Sequence, residues 1–214
     1  MDMRIASVNV GAAETIAVGG QMKTTGIRKR PTDARVRINR SGVGTDAVVN
    51  TEYHGGADQA VYAYSEDDYR WWTAQSGRLV GAGSFGENLT IAGLPSDLYV
   101  GDRLLIGDTV LEATAPRIPC GTFAAHMQDP DFPIAFRRAE RPGIYFRVLN
   151  EGDVIAGDFV TLVENPNREV SIVELFRFKY DPNPDSKALQ RFLSAPISER
   201  TRTKVEKRLA ALTY

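Results

Sequence analysis

The chain has 214 residues, of which 43% are hydrophobic and 25% charged, and its net charge is −1. No strong overall field directs it to nucleic acid or to a membrane surface. Its N-terminus lacks the apolar run of a signal peptide, and no apolar stretch reaches the ~18 residues of a spanning helix. With a single cysteine and no export signal, we expect a soluble protein of the reducing cytoplasm.

Alternating apolar and polar residues fill most of the first 165 residues and predict half-buried strands. Gly-Asp pairs at 101, 107 and 157 stand before strands and predict turns, as does the Glu151-Gly152-Asp153 segment. Because many short strands leave unpaired edges in an open sheet, we expect a closed or folded-over sheet. The strand segments are, in order, RIASVNV, ARVRINRSGV, QAVYAYS, ENLTIAG, DRLLIGDTVLEATA and GIYFRVLNEGDVIAGDFVTLVEN.

Helices are predicted to be few before residue 166. SEDDYRWWTAQSG offers Ser65 as N-cap, three acids in the first turn and Gly77 as a stop. CGTFAAHM and PIAFRRAE predict one or two helical turns each. From Ser171 on, apolar residues recur at helical spacing, and YDPNPDS and APIS interrupt them. We therefore predict a β-rich domain over 1–166 and a three-helix module over 167–214.

Cys120 lies in the segment PRIPCG. Pro119 restricts its neighbour, and Gly121 lets the backbone approach a ligand. If a short helix starts here, its free N–H groups together with Arg117 favour a thiolate, which is a nucleophile and a soft metal ligand. The alternative is a buried structural thiol. The sequence shows neither a protease signature around His54 and His126 nor the ligand spacing of a zinc site.

A basic segment precedes the second strand region. Seven basic residues and one acid lie between Lys23 and Arg40. Arg28, Lys29 and Arg30 are predicted to lie in a loop, and Arg28 and Lys29 suit a phosphate or another small anion. The alternative is a solvated charged surface. Two glycines after His54 indicate a turn or a ligand approach, with Asp58 at the mouth of the next strand. GAGSFGENLTIAG is a glycine-rich loop before a strand, whose backbone N–H groups could line an anion pocket.

Arg147 lies on one strand face with Tyr145 and Leu149. An arginine among apolar neighbours either pairs with an acid or binds a buried anion. Both interpretations stay open for this residue.

Six of these segments together resemble the MOSC domain family, in its YiiM-like branch with a C-terminal three-helix domain. They occur in the family's order and cover roughly residues 3–165. The resemblance implies a mainly β fold, a MOSC-type β-barrel, with the helical module appended. The segments are GIRKRP, HGGADQAVYAYSEDDYRWW, GSFGENLTIAG, VGDRLLIG, PRIPC and GIYFRVLNEGDVIAGD.

The resemblance also implies a molybdenum cofactor, held through the dithiolene of a phosphorylated pterin. Cys120 would supply the protein thiolate to molybdenum, so no second cysteine is needed. Lys29, with Arg28, would hold the pterin phosphate. Further residues are implied by motif matching. They are Arg117, Arg147 and Asn88 as pterin contacts, and His54 and Asp58 on the substrate side.

The implied activity is two-electron reduction of N-hydroxylated compounds, namely hydroxylamino-purines, hydroxylamines and amidoximes. This is the chemistry of detoxifying N-hydroxylated base analogues. Electrons would come from a separate reductase, because the sequence shows no flavin, nicotinamide or iron–sulfur pattern. The rival function is a carrier that hands on the cofactor without turnover.

The C-terminal segment SERTRTKVEKRLAAL is basic, with five basic residues against two acids. One alternative for this segment is nucleic-acid binding, but its basic positions are predicted to spread around the helix, so no nucleic acid is expected. Three roles stay open for the module: docking on the barrel, contact with a second subunit in a homodimer, or reception of the electron donor.

Overall fold

The computed structural model describes residues 2–212, and residues 1, 213 and 214 at the predicted domain ends lie outside this range. Thirteen strands are found in this part of the chain. Their bounds are β1 Arg4–Val10, β2 Glu14–Val18, β3 Gln21–Thr25, β4 Arg30–Thr32, β5 Val36–Asn39, β6 Gly42–Val43, β7 Val61–Ser65, β8 Leu89–Ala92, β9 Arg103–Ile106, β10 Thr109–Pro116, β11 Ile144–Asn150, β12 Gly152–Val154 and β13 Thr161–Val163.

Six α-helices and one short 3-10 helix, Ala57–Gln59, accompany the strands in the described range. The three predicted C-terminal helices are present, and each begins at a capping side chain that accepts a backbone N–H bond. The helix bounds are α1 Glu66–Ser76, α2 Gly121–Met127, α3 Phe132–Ala139, α4 Ile172–Phe178, α5 Ser186–Ser194 and α6 Glu199–Ala211.

Eight strands form the main sheet in the order β13-β9-β10-β11-β7-β8-β1-β4. All neighbours are antiparallel except β7 and β8. A bridge between Arg4 and Phe159 ties the chain just before β13 to β1, but no ladder among the described residues joins β13 to β4. The fold is therefore sheet-dominated and mixed, and the predicted closed barrel is not confirmed.

Two small sheets flank the main one. The β2–β3 hairpin, turning at Gly19-Gly20, was not predicted, because β3 is exposed along its length and lacks an apolar face. The predicted strand ARVRINRSGV is a hairpin of β5 and β6, and β12 pairs with β5. Arg30, placed in a loop by the sequence, starts β4, an edge strand in which Pro31 needs no ladder donor.

The apolar core is continuous between the sheet and the C-terminal helices. Ile172, Leu175 and Phe178 of α4 and Val205 of α6 are buried in the same cluster as Leu111 of β10. The backbone N–H of Val100, shortly before β9, donates to the carbonyl of Val170, shortly before α4, at 2.9 Å. None of the described helices is long and apolar enough to cross a membrane.

A second, aromatic cluster holds the helices α1, α2 and α3 against the other side of the sheet. At its edge the buried carboxylate of Glu87 accepts hydrogen bonds from Tyr69 Oη at 2.7 Å, Thr90 Oγ1 at 2.7 Å and the Gly83 N–H at 2.6 Å. Burial raises the pKa of Glu87, and these donors oppose that effect. The network fixes the glycine-rich loop that leads to Asn88.

Ser65 precedes α1 as predicted, but its side chain does not cap the helix. Its Oγ donates instead to the Leu94 carbonyl at 2.9 Å. Gly77 ends the helix in the left-handed conformation with φ of 65°, as the sequence predicts.

Candidate functional site

Two adjoining cavities lie beside the end of β10. The inner cavity has a volume of about 190 Å³ and the outer one about 620 Å³, and the outer volume is typical of small-molecule sites. Because they share part of their walls, a ligand could extend from one into the other. The residues that line both are Lys23, Asn50, His54, Gln59, Cys120, Thr122 and Tyr145.

Cys120 is the N-cap residue of α2, placed there by the strand β10 and the turn that follows it. Its thiol is partly buried and free. Burial raises the pKa of Cys120, but a hydrogen bond from His54 and the charge of Arg117 overcome this, and the pKa falls from 9.0 to about 7. About half of the thiol is then ionised at neutral pH, which suits a metal ligand or a nucleophile.

Gly121 lines the outer cavity beside the thiol. A Cβ at this position would contact only the Val18 Cγ1 atom, at an ordinary 3.8 Å. Packing within the protein therefore does not require glycine here.

Arg117 lies on the wall of the inner cavity and is only 4% exposed. Its guanidinium carbon lies 3.8 Å from the ring centroid of Phe123, and its Nη1 atom has no hydrogen-bond partner among residues 2–212. Nor does any described carboxylate lie within ion-pair distance of it. A buried cation without a counter-charge is costly, and a negatively charged ligand would offset that cost.

Lys29 also lines the inner cavity, but its charge is already balanced. Its Nζ atom forms a buried ion pair with Asp46, whose side chain is 4% exposed. The same carboxylate accepts a bond from Asn88 Nδ2 at 2.9 Å and one from the Gly11 N–H at 2.8 Å. Lys29 and Asn88, both expected to contact the cofactor, therefore lie on the wall of the inner cavity, in a polar cluster centred on Asp46.

Arg28 lies outside both cavities. Its side chain is 47% exposed and pairs with Glu14 at 3.3 Å. The basic loop therefore directs its two cations to opposite sides, Lys29 inward and Arg28 outward.

Close backbone packing holds this loop in place. A Cβ at Gly26 would lie 1.9 Å from the Ala47 carbonyl oxygen, so only glycine fits at that position.

His54, expected on the substrate side, lines both cavities together with Cys120. The His54 N–H donates to the Asn50 carbonyl at 2.9 Å, which fixes the turn before Gly55 and Gly56. Both glycines have positive φ, 69° and 81°, so the two-glycine motif forms a tight turn.

Asp58 and Arg147 line neither cavity. They pair with each other at 3.0 Å, and Asp58 Oδ2 also accepts the Glu199 N–H at the start of α6 at 2.7 Å. The Arg147 guanidinium further donates to the Pro196 carbonyl at 3.0 Å. The structure thus places both residues in the joint between sheet and helices, which argues against a pterin contact for Arg147 and a substrate contact for Asp58.

Basic side chains surround the outer cavity, four of them from α6. Because they lie at spacings of 4, 7 and 8 residues from Arg200, they share one helix face, contrary to the expectation that they spread around the helix. We call the whole set the cationic rim: Lys23, Lys179, Arg200, Lys204, Lys207 and Arg208.

A model of the MOSC domain matches residues 50–161 of this chain, and YflK of Bacillus subtilis, an uncharacterized protein, is 31% identical over 206 residues, 95% of this chain and 93% of YflK. The chain belongs to the MOSC domain family. The crystal structure of YiiM from Geobacillus stearothermophilus matches with a TM-score of 0.79 at 32% identity, covering 97% of this chain and 99% of that one. The resemblance drawn from the sequence is confirmed, including its YiiM-like branch.

A protein of Gibberella moniliformis named "Reductase" is 31% identical over 175 residues. The match covers 79% of this chain and 31% of that protein. This MOSC domain protein therefore corresponds to about one third of the fungal relative.

The matched range of the MOSC domain contains Cys120, Arg117, Asn88 and His54, whereas Lys29 and α6 lie outside it. The sequence analysis did not assign Asp46, Gln59, Tyr145 or the cationic rim to the site. Asp46 stands in a polar loop without a motif, and no local signal separates Gln59 from its neighbour Asp58. The rim had one available signal, the i, i+4, i+7, i+8 spacing of bases in α6.

Proposed function

We propose that this MOSC domain protein binds the molybdenum cofactor at the inner cavity and reduces N-hydroxylated compounds there. The observation that carries the proposal is the pairing of a thiol of pKa about 7 with an unpaired, buried guanidinium on the same cavity wall. The family assignment and the name of the fungal relative, "Reductase", support it.

The residues present fit a phosphorylated, anionic cofactor. Arg117 offers a buried positive charge without a counter-charge, and the Nζ atom of Lys29 offers N–H donors beyond the one held by Asp46. Cys120 offers one soft ligand. Among the described residues no three His, Cys, Asp or Glu side chains converge to hold a metal, so the remaining ligands would come from the pterin.

When bound, the cofactor supplies a two-electron redox centre. In the overall reaction R–NHOH + 2e⁻ + 2H⁺ gives R–NH₂ + H₂O: the N–O bond breaks, and the electrons come from a separate donor reductase. The interaction with His54 lowers the pKa of Cys120 and keeps the thiol available as a thiolate. Arg117 holds negative charge at the inner cavity, and the outer cavity admits the substrate to the same thiol.

The test is metal analysis and turnover on the full chain made in a cofactor-competent host. We expect about one molybdenum per chain in the wild type and little in Cys120→Ser, with His126→Gln as a loaded control. The loaded wild type should reduce 6-hydroxylaminopurine when supplied with a chemical reductant. Molybdenum without turnover would favour the carrier function, and no molybdenum beside a fully loaded reference enzyme would refute both.

A further inference from the structure

The charged side chains that line the outer cavity are all basic. All six members of the cationic rim line it, and no Asp or Glu side chain is among its lining residues. Among residues 2–212, no rim residue forms an ion pair within 4 Å. The protein's net charge of −1 therefore does not explain this local concentration of positive charge.

The members of the cationic rim differ in how deeply they are buried. Arg200 is half-buried and anchored, because its guanidinium donates to the Gln59 Oε1 atom at 2.8 Å and the Thr51 carbonyl at 2.8 Å. Lys179, Lys204 and Lys207 are exposed around it. An anchored arginine surrounded by exposed lysines is suited to a multiply charged, compact anion such as a phosphate.

Gathering these cations is unfavourable without a ligand. Although Lys204 is exposed, the partial burial of its ammonium group lowers its pKa, and the nearby charges of Lys179 and Arg200 lower it further. A bound dianion would remove this repulsion, so the geometry and the electrostatics point to the same kind of ligand.

Cys120 lines the same cavity as the rim, and an apolar wall connects them. Ile118, Leu175 and Phe178 contribute to this wall, together with the aromatic ring of Tyr53. A planar base could rest on these side chains while a phosphate reaches the rim. The inner cavity has its own cations, Arg117 and Lys29, for the anionic part of the cofactor.

We propose that the cationic rim binds the 5′-phosphate of a nucleotide substrate, so that the protein takes N-hydroxylated nucleoside monophosphates with the base directed at Cys120. This inference rests on the proposed function, whose substrate class it narrows. The phosphate is not chemically altered, and the reduction at the base keeps the balance given above.

The probe for the test is AMP, an unreactive nucleotide, titrated calorimetrically into the full chain without cofactor. We expect AMP to bind at least tenfold more tightly than adenosine, because the nucleoside lacks the phosphate.

Lys204→Gln combined with Lys207→Gln should weaken AMP binding by about tenfold and leave adenosine binding unchanged. Lys187→Gln, an exposed change of the same charge on α5 outside the cavity, should bind AMP like the wild type. Equal affinities for AMP and adenosine, or equal effects of rim and control variants, would overturn the proposal.

The source of the phosphate is decided by repeating the titration with cofactor-loaded protein. Retained AMP affinity supports a substrate site, whereas loss of AMP binding on loading would assign the rim to the cofactor's own phosphate. Inorganic phosphate binding as tightly as AMP would also refute the proposal, because the base would then contribute nothing. A 12-nucleotide single strand that binds much more tightly than AMP would identify a nucleic-acid surface instead.

The proposed function and this inference fail separately. If AMP binds as expected but no N-hydroxylated compound is reduced, the reductase function is wrong and the phosphate site stands. If 6-hydroxylaminopurine is reduced and its nucleotide is not preferred, the reductase stands and the phosphate site is wrong.

Discussion

Lys29 and Arg117 are two buried cations on the wall of the inner cavity, and only one of them has a counter-charge within residues 2–212. Lys29 has a carboxylate partner in Asp46, and Arg117 has none among the described residues. A paired buried charge is costly to break, whereas an unpaired one already bears its desolvation cost. We therefore interpret Lys29 as a structural cation and Arg117 as a cation available to a ligand.

Replacing each cation by methionine tests this difference. Lys29→Met should lower the free energy of unfolding by about 3–5 kcal/mol, since it leaves Asp46 buried without its partner. Arg117→Met should change it by less than about 1 kcal/mol, because methionine keeps the aromatic contact and removes an uncompensated charge. Urea denaturation of cofactor-free protein measures both. A large loss of stability in Arg117→Met would mean that Arg117 has a structural partner.

The ionisation of Cys120 should be visible in its reactivity. We expect the iodoacetamide alkylation rate to rise with pH with a midpoint of about 7, since only the thiolate reacts and burial is outweighed by His54 and Arg117. Below the midpoint the thiol is protonated and reacts slowly.

His54→Ala should move this midpoint upward, toward the ordinary value of 9.0, because the hydrogen bond that favours the thiolate is lost. His126→Gln is the matched control, since His126 Nε2 contacts the Ser84 carbonyl at 3.0 Å and is not a cause of the Cys120 shift. The same midpoint in His54→Ala and wild type would assign the low pKa to Arg117 alone.

At the residue scale, the sequence predicted the placement of site residues that are close together in the chain. Cys120 and Arg117 are three residues apart on one turn, so their joint placement follows from local structure. Asp58 and Arg147 could not be placed, because their pairing depends on how α6 docks on the sheet.

At the scale of elements, the sequence predicted those strands and helices whose apolar periodicity marks a buried face. β1 and α1 were predicted almost to their bounds. The β2–β3 hairpin was missed because its exposed strand has no such face. The face of α6 that meets the cavity was also missed, because a helix with many charges does not show in its sequence which face a partner element covers.

The joint between β11 and α6 is an element-scale prediction. Asp58→Ala removes the ion pair with Arg147 and the bond from the Glu199 N–H, so α6 should open more readily. We expect the amides of α6 to exchange about tenfold faster, which corresponds to about 1.4 kcal/mol.

Hydrogen exchange with mass spectrometry measures this effect segment by segment. Arg37→Ala is the control, because it removes only exposed pairs, with Glu151 at 3.4 Å and Asp153 at 3.9 Å, and should leave α6 unchanged. Equal exchange of α6 in Asp58→Ala and wild type would show that apolar packing alone holds the helix.

For the whole molecule, the question is whether the predicted boundary between 166 and 167 separates two folding units. The apolar cluster runs across it, since Ile172, Leu175, Leu189, Phe192 and Val205 are each at most 3% exposed and lie in one cluster with the sheet. Burying five such side chains contributes about 8–15 kcal/mol, at about 1.5–3 kcal/mol each. This is comparable with the whole net stability of a domain, about 5–15 kcal/mol.

The fragment 1–166 should therefore lack a cooperative thermal transition by circular dichroism and should bind a hydrophobic dye, because the sheet residues beneath α4 lose their cover. Addition of the separate 167–214 chain should restore the transition if the two parts form one core. A fragment that melts cooperatively within a few degrees of the full chain would instead establish an independent sheet domain. Since the cationic rim draws Lys23 from the β2–β3 hairpin and four bases from α6, a single folding unit would also mean that the outer cavity exists only when the whole chain is folded.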